Sequence, residues 1–286
     1  MHRAVCAMKG GKQESQQYLG TKWENAKVRG SRYNTGDGHR TALAIGAGTN
    51  GQWTGCHGTP IDLDAPKMGD LALTDAMPRR SYNLGIMVNL DGNRFTDEGV
   101  GFAEQTFVQV GSDILSQKRN RAFQIFDQRA VGHLEERYGG ANSVKAKSIK
   151  ELADLLKINS TVLMSTVDQF NSEAEDAEYL PRILDGRSTS STNPTKSNWA
   201  IKIDQPPFLA YAVTGSITYT YGGLKIDEYA RVLDTEDNPI IGLYASGEIV
   251  GGIFYHNSLR AAGLMHGSVF GKLAGHHAGA LANQVD

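Results

Sequence analysis

The chain has 286 residues, 40% hydrophobic and 21% charged, enough to bury the core of one large domain or two small ones. Lys and Arg total 29 against 31 Asp and Glu, a formal charge of −2, which leaves no surplus positive field for a polyphosphate and argues against nucleic acid as a partner. Two cysteines, Cys6 and Cys56, make no disulfide framework, and no apolar run nears the ~18 residues of a membrane span, so a soluble cytoplasmic protein is expected.

The 33 glycines are clustered at 30–58, 85–101, 215–223 and 242–279. Glycine admits positive φ and brings backbone close to a ligand, which fits a cofactor scaffold, although turn chemistry alone is an alternative for each cluster. In chain order, residues 3–8 read as a short strand ending at Gly10-Gly11. Residues 36–47 read as a short helix with Ala42, Ala44 and Ile45 on one face, stopped by Gly46 or Gly48. GIMVNLDGNRF (85–95) reads as strand, Asp91-Gly92 turn, strand. Ser148 and Glu151 form a capping box for a helix expected to bury Ile149, Leu152, Leu155 and Leu156. Asn159 or Ser160 then caps a second helix carrying Val162, Leu163, Val167 and Phe170, which runs out into an acidic stretch, 173–178, read as a solvated helix end.

The polar stretch 186–197 has no periodicity and is expected to be a mobile surface loop. After Pro207 the pattern alternates through three strand-like runs (210–223, 224–234 and 238–252), and a Gly- and Ala-rich helix closes the chain from about 259 to 281.

No GxGxxG follows a strand, and neither a P-loop nor a GxSxG elbow occurs. His256, His266 and His276 step by ten residues, about 280° around a helix, which is no metal-ligand spacing. The polar residues left at glycine-rich positions are His57, Arg79, Arg80, Tyr82, Arg94, Glu98, Tyr219, Tyr221, Glu248, His256 and Arg260. An arginine among them could clamp a carboxylate and Tyr219 could donate a proton. The competing readings are that Arg94 pins a hairpin and that Tyr219 and Tyr221 are core residues of one strand face.

The runs 85–99, 218–227, 240–252 and 254–279 occur in an order that resembles the FAD-dependent fumarate reductase and succinate dehydrogenase flavoprotein superfamily. AKVRGSRYNTGDG (26–38) and WTGCHGTPID (53–62) are most similar to its tricarballylate dehydrogenase-like members. The resemblance implies an α/β plus α+β fold: part of a Rossmann-like FAD-binding domain (1–55 and 220–286) with an inserted α+β cap, or substrate, domain (56–219). It implies FAD as cofactor, with Gly247 and Glu248 in the ribityl-holding turn and the Gly263-Leu264-Met265 backbone at a helix N-terminus facing the flavin pyrimidine. It also implies that His57, Tyr219, Arg260 and Arg80 take the substrate, a small carboxylate or enone.

Two departures accompany the resemblance. The family's pyrophosphate-binding strand, glycine turn and helix have no counterpart here, so weak FAD binding by this chain alone is expected, with dimerisation or a partner chain covering a sheet edge near Val5 and Ile241. The family's proton-donating arginine is also replaced, by Phe102 or Ala103. Three functions follow for comparison: a flavin oxidoreductase transferring hydride, a cofactor-independent isomerase, lyase or cyclase using the cap cleft, and a non-catalytic partner-binding module.

Overall fold

A computed structural model describes residues 18–259 and 261–284. In chain order its regular elements are β1 (Lys27–Val28), α1 (Asp37–Ala44), β2 (Thr49–Asn50), β3 (Cys56–Asp62), β4 (Ile86–Asn89), α2 (Ala103–Leu115), β5 (Ala122–Phe126), α3 (Gln128–Val131), β6 (Ser143–Ala146), α4 (Ile149–Leu156) and α5 (Ser160–Glu173). Then come β7 (Phe208–Thr220), β8 (Gly223–Leu224), β9 (Arg231–Leu233), β10 (Pro239–Tyr244) and α6 (Ala262–Ala282).

The β-branched, aromatic and small residues of β7 suit a strand covered on both faces, and this strand is the spine of the six-stranded sheet. Tyr211 is in register with both Gln124 of β5 and Ser143 of β6, and Ser216 with both Lys27 of β1 and Thr59 of β3. Each half of β7 is therefore flanked on both edges, the first by β5 and β6, the second by β1 and β3. On one face α4 and α5 bury Leu152, Leu163, Val167 and Phe170 against Ile86, Ile125 and Ala210. On the other, α2 lays Phe107, Val110 and Ile114 over Met87, Ala122 and Val213. Gly111 allows that approach, since a Cβ there would sit 3.1 Å from the Thr59 backbone.

Caps bound the two helices as the sequence predicts: the Ser148 side chain accepts from the Glu151 amide, and the Asn159 side chain from the Val162 amide. Leu155, expected in the core, is 52% exposed. The α4 stripe that meets the sheet is narrow, with Leu152 and Ala153 buried. Similarly α1 ends before Gly46 (φ 91) as read, but Ala42 faces inward while Ala44 and Ile45 are exposed. The 85–95 turn forms at Asp91-Gly92, yet β4 takes β5 as its partner and the return strand shrinks to one bridge, Val88 to Arg94.

The 186–197 stretch is no loose surface loop. Lys196 is buried and its Nζ donates to the carbonyls of Asn83 and Gly85 at 2.9 and 2.5 Å, while Arg94 Nη1 donates to Pro194 O at 2.7 Å. Polar residues without periodicity are held here by bonds to distant backbone, which local pattern does not encode. The acidic stretch is likewise used: Glu173 accepts from the Ser190 and Ser191 amides and hydroxyls, which hold its carboxyl down at about 2.

A smaller assembly of α1, β8, β9 and β10 packs around Ala42, Leu224, Val232 and Val250. None of the described residues of α6 is buried. Among the described residues no helix is long and apolar enough to cross a membrane. The strand expected at residues 3–8, and with it Val5, lies outside the described residues. Ile241 is 89% exposed on β10, whose ladder is with β9.

Candidate functional site

A cavity of about 300 Å³ opens where the C-terminal half of β7, β3, α2 and the start of α6 meet. Its walls gather six of the residues named from sequence: His57, Arg80, Tyr219, Glu248, Gly263 and Leu264. Arg260 lies outside the described residues, between Leu259 and Ala261, which both line the cavity. Gly247 and Met265 are not among the lining residues. Gly247 (φ 77) forms the turn before Glu248, with its Cα 3.5 Å from where a Cβ on Gly267 would sit, and Met265 is 60% exposed.

Strand register explains how adjacent side chains reach one cavity. His57 pairs with Tyr219 but Gly58 pairs with Ile217, so Thr218 is an extra residue in β7, a β-bulge. Strict alternation would send neighbouring side chains to opposite faces; here both Thr218 and Tyr219 line the cavity. The His57 ring packs on Tyr219 and on Phe107, each with 4.8 Å between centroids. Phe107 carries the Arg80 guanidinium as well, 4.4 Å above its ring, and Arg80 Nε donates to Thr59 Oγ1 at 3.0 Å. One aromatic ring thus sets the spacing of the histidine and the arginine.

Burial, with Arg29 close by, pushes the Arg80 guanidinium down to about 10. It is still charged at neutral pH, and its two Nη groups make no hydrogen bond among the described residues, a combination suited to binding a carboxylate bidentately. Arg29 and Arg137 also line the cavity, with Arg29 bonded to Asp75 at 2.7 Å and Arg137 3.5 Å from Glu135.

The remaining polar candidates have structural partners. Arg79 is buried against Asp62 at 2.8 Å, and Arg94 against Glu98 at 2.5 Å. The Tyr82 hydroxyl bonds Thr106 at 2.7 Å, and burial raises its pKa. Burial also raises that of Tyr221, which packs on Phe254 behind Tyr219. His256, at φ 61, is pinned by Gln52, whose Oε1 accepts from its amide at 2.6 Å. Among the described residues no group of His, Cys, Asp and Glu could hold a metal ion.

Phe102 and Ala103 serve α2 itself. Phe102 is its N-cap residue and packs on Trp199, and the Ala103 carbonyl accepts from the Tyr82 hydroxyl at 3.3 Å. The next residue, Glu104, lines the cavity. Thr218, Phe107, Glu104 and Ser258 were not singled out from the sequence. A bulge leaves no mark in the alternation of TYTYGG, and Phe107 reads simply as a core position of an amphipathic helix.

A family model described as an FAD binding domain matches residues 1–264. The chain belongs to that FAD binding domain family. A probable fumarate reductase, Ifc3, of Shewanella frigidimarina is 30% identical over 85% of this chain and 38% of its own length. An NADH:fumarate oxidoreductase of Klebsiella pneumoniae is 31% identical over 68% of this chain and 20% of its own. The open conformation of a flavocytochrome c3 fumarate reductase superposes with a TM-score of 0.72 at 25% identity, covering 98% of this chain and 45% of that one. The chain thus spans less than half the length of these FAD-family relatives, and its mixed α/β fold is that of a flavoprotein oxidoreductase.

The residues fit an FAD. Ala261 (φ 63) offers no side-chain cap to α6, so among the described residues the Gly263 and Leu264 amides at its first turn have no side-chain capping partner, which suits an acceptor oxygen of a cofactor. Gly263 lets the Glu248 carboxylate lie against the helix start, since a Cβ there would push Glu248 Oε1 aside. The structure therefore provides a glycine cradle with an acceptor and two donors along one wall of the cavity.

Proposed function

We propose that this chain carries the substrate cavity, and one wall of the flavin site, of an FAD-dependent oxidoreductase acting on a small unsaturated or saturated carboxylate, of which di- and tricarboxylates such as fumarate or tricarballylate are the best fit. The observation that carries this is the desolvated, still-charged Arg80 held on Phe107 in the cavity that Glu248 and the α6 N-terminus also line.

In this reading residues 56–219 form the cap and residues 1–55 and 220–286 belong to the FAD-binding part. Bound FAD supplies hydride exchange with a substrate carbon. Glu248 and Gly247 would hold the ribityl hydroxyls, and the first turn of α6, running from Gly263 through Leu264 to Met265, would present the Gly263 and Leu264 amides and its helix dipole to the flavin, the Met265 amide being bonded to Ala261 O at 3.1 Å. Arg80 and Arg260 clamp the substrate carboxylates, and the His57 ring fixes the substrate plane against Phe107. With no arginine at Phe102 or Ala103, the proton at the substrate carbon comes from the Tyr219 hydroxyl, its ring packed on His57 inside the cavity.

The test is quenching of flavin fluorescence on adding the purified chain, followed by fumarate-dependent reoxidation of the reduced, loaded protein. Cooperative folding with neither FAD binding nor reoxidation would overturn the reading.

A further inference from the structure

The C-terminal half of β7 buries four hydroxyls in alternate positions, Thr214, Ser216, Thr218 and Thr220. Three have partners within the protein: Thr214 Oγ1 donates to Asn120 O at 2.7 Å, Ser216 Oγ to Thr59 O at 2.9 Å and Thr220 Oγ1 to Gly222 O at 3.3 Å. Thr218 is the most deeply buried of the threonines in this half, 1% exposed, and its Oγ1 makes no hydrogen bond among the described residues. A buried hydroxyl left without a partner is costly, and natural folds seldom keep one unless something else satisfies it.

Its position supplies the reason. Thr218 is the bulged residue, set out of the β3 ladder between His57 opposite Tyr219 and Gly58 opposite Ile217, and it lines the cavity with Tyr219 and Arg80. A bulge that re-aims a side chain at a cavity rim is a recurrent device of functional sites. Valine would fill the same volume and suit a buried strand without leaving a polar atom unpaired.

We propose that Thr218 is a substrate-binding residue, its hydroxyl donating a hydrogen bond to a carboxylate oxygen of the bound di- or tricarboxylate. This deepens the cavity reading above and rests on it. Arg80 then supplies charge, and Thr218 supplies a short-range contact that discriminates substrates by where their second oxygen lies.

The experiment is calorimetric titration of the FAD-loaded chain with fumarate, alongside thermal unfolding of the ligand-free, FAD-free chain, for the natural protein, Thr218→Val and Thr218→Ser. Thr218→Val is expected to bind fumarate about 10-fold or more weakly, the scale of a hydrogen bond to a charged group, while Thr218→Ser stays within about threefold of the natural protein. The ligand-free Thr218→Val chain is expected to melt ~2–4 °C higher, because an unpaired hydroxyl is replaced by a methyl of the same shape. Equal fumarate affinity in Thr218→Val, or a lower melting temperature, would overturn the role of Thr218 and leave the cavity reading standing. If the natural chain binds FAD but no fumarate, the cavity reading itself fails and this inference fails with it.

Discussion

The two halves of β7 are one continuous strand with opposite uses. The first, Phe208 to Val213, is enclosed by β5 and β6 at its edges and lies between α2 and the α4–α5 pair, with Ala210 and Val213 fully in the core. The second, Thr214 to Thr220, exchanges aliphatic residues for hydroxyls and a tyrosine, takes a bulge, and forms the cavity wall. The first half converts apolar burial into rigidity; the second uses that rigidity to hold polar groups out of water with fixed spacing. A site of this kind is precise because it stands on a strand anchored elsewhere.

The contrast can be broken most severely from the supporting side. Glu98→Ala removes the carboxylate that holds buried Arg94 and the Met87 amide, and the stranded charge is expected to cost about 3–5 kcal/mol in urea unfolding. Arg80→Ala strikes the other half and is expected to weaken carboxylate binding by about 2–5 kcal/mol in calorimetry, with the melting temperature changed far less than in Glu98→Ala.

Lys196 sharpens the comparison through pH. Burial lowers its amine from the ordinary 10.5 to about 8, so between these values the unfolded chain binds more protons than the folded one. Stability is therefore expected to rise with pH from about 8 to 10.5, the cost of charging the amine being fully present below about pH 8. Lys196→Met should flatten most of that rise in denaturant titrations at stepped pH.

Smaller effects follow at the periphery. Gly263→Ala, which crowds Glu248, is expected to lower FAD affinity roughly 10-fold in fluorescence titration, the scale of one displaced charge-assisted hydrogen bond, without changing stability. Ser148→Ala removes the α4 cap and is expected to cost about 1 kcal/mol, leaving ligand binding untouched, since α4 packs on the far side of the first half of β7.

Much of this contrast was legible beforehand where its physics is local. The caps at Ser148 and Asn159, the stop at Gly46 and the Asp91-Gly92 turn each depend on residues within a few positions, and each formed where the sequence placed it. Leu155 and Ile45 were misplaced because periodicity marks a helix's apolar side without saying how wide the covering surface is. The 186–197 stretch was misread for a related reason: its anchors, Asn83, Gly85 and Glu173, are remote backbone and side chains that no local pattern contains.

The site divides in the same way. By itself the sequence determined the FAD binding family and named His57, Arg80, Tyr219, Glu248, Gly263 and Leu264, which the fold gathers at one cavity, because family motifs are residue types kept in a particular order along the chain. Only the tertiary structure decided that Phe107 spaces His57 from Arg80, that Arg79 and Arg94 are structural, and that a bulge turns Thr218 into the cavity. Those outcomes depend on strand register and on what packs across from each residue, and both are settled by contacts between segments far apart in the chain.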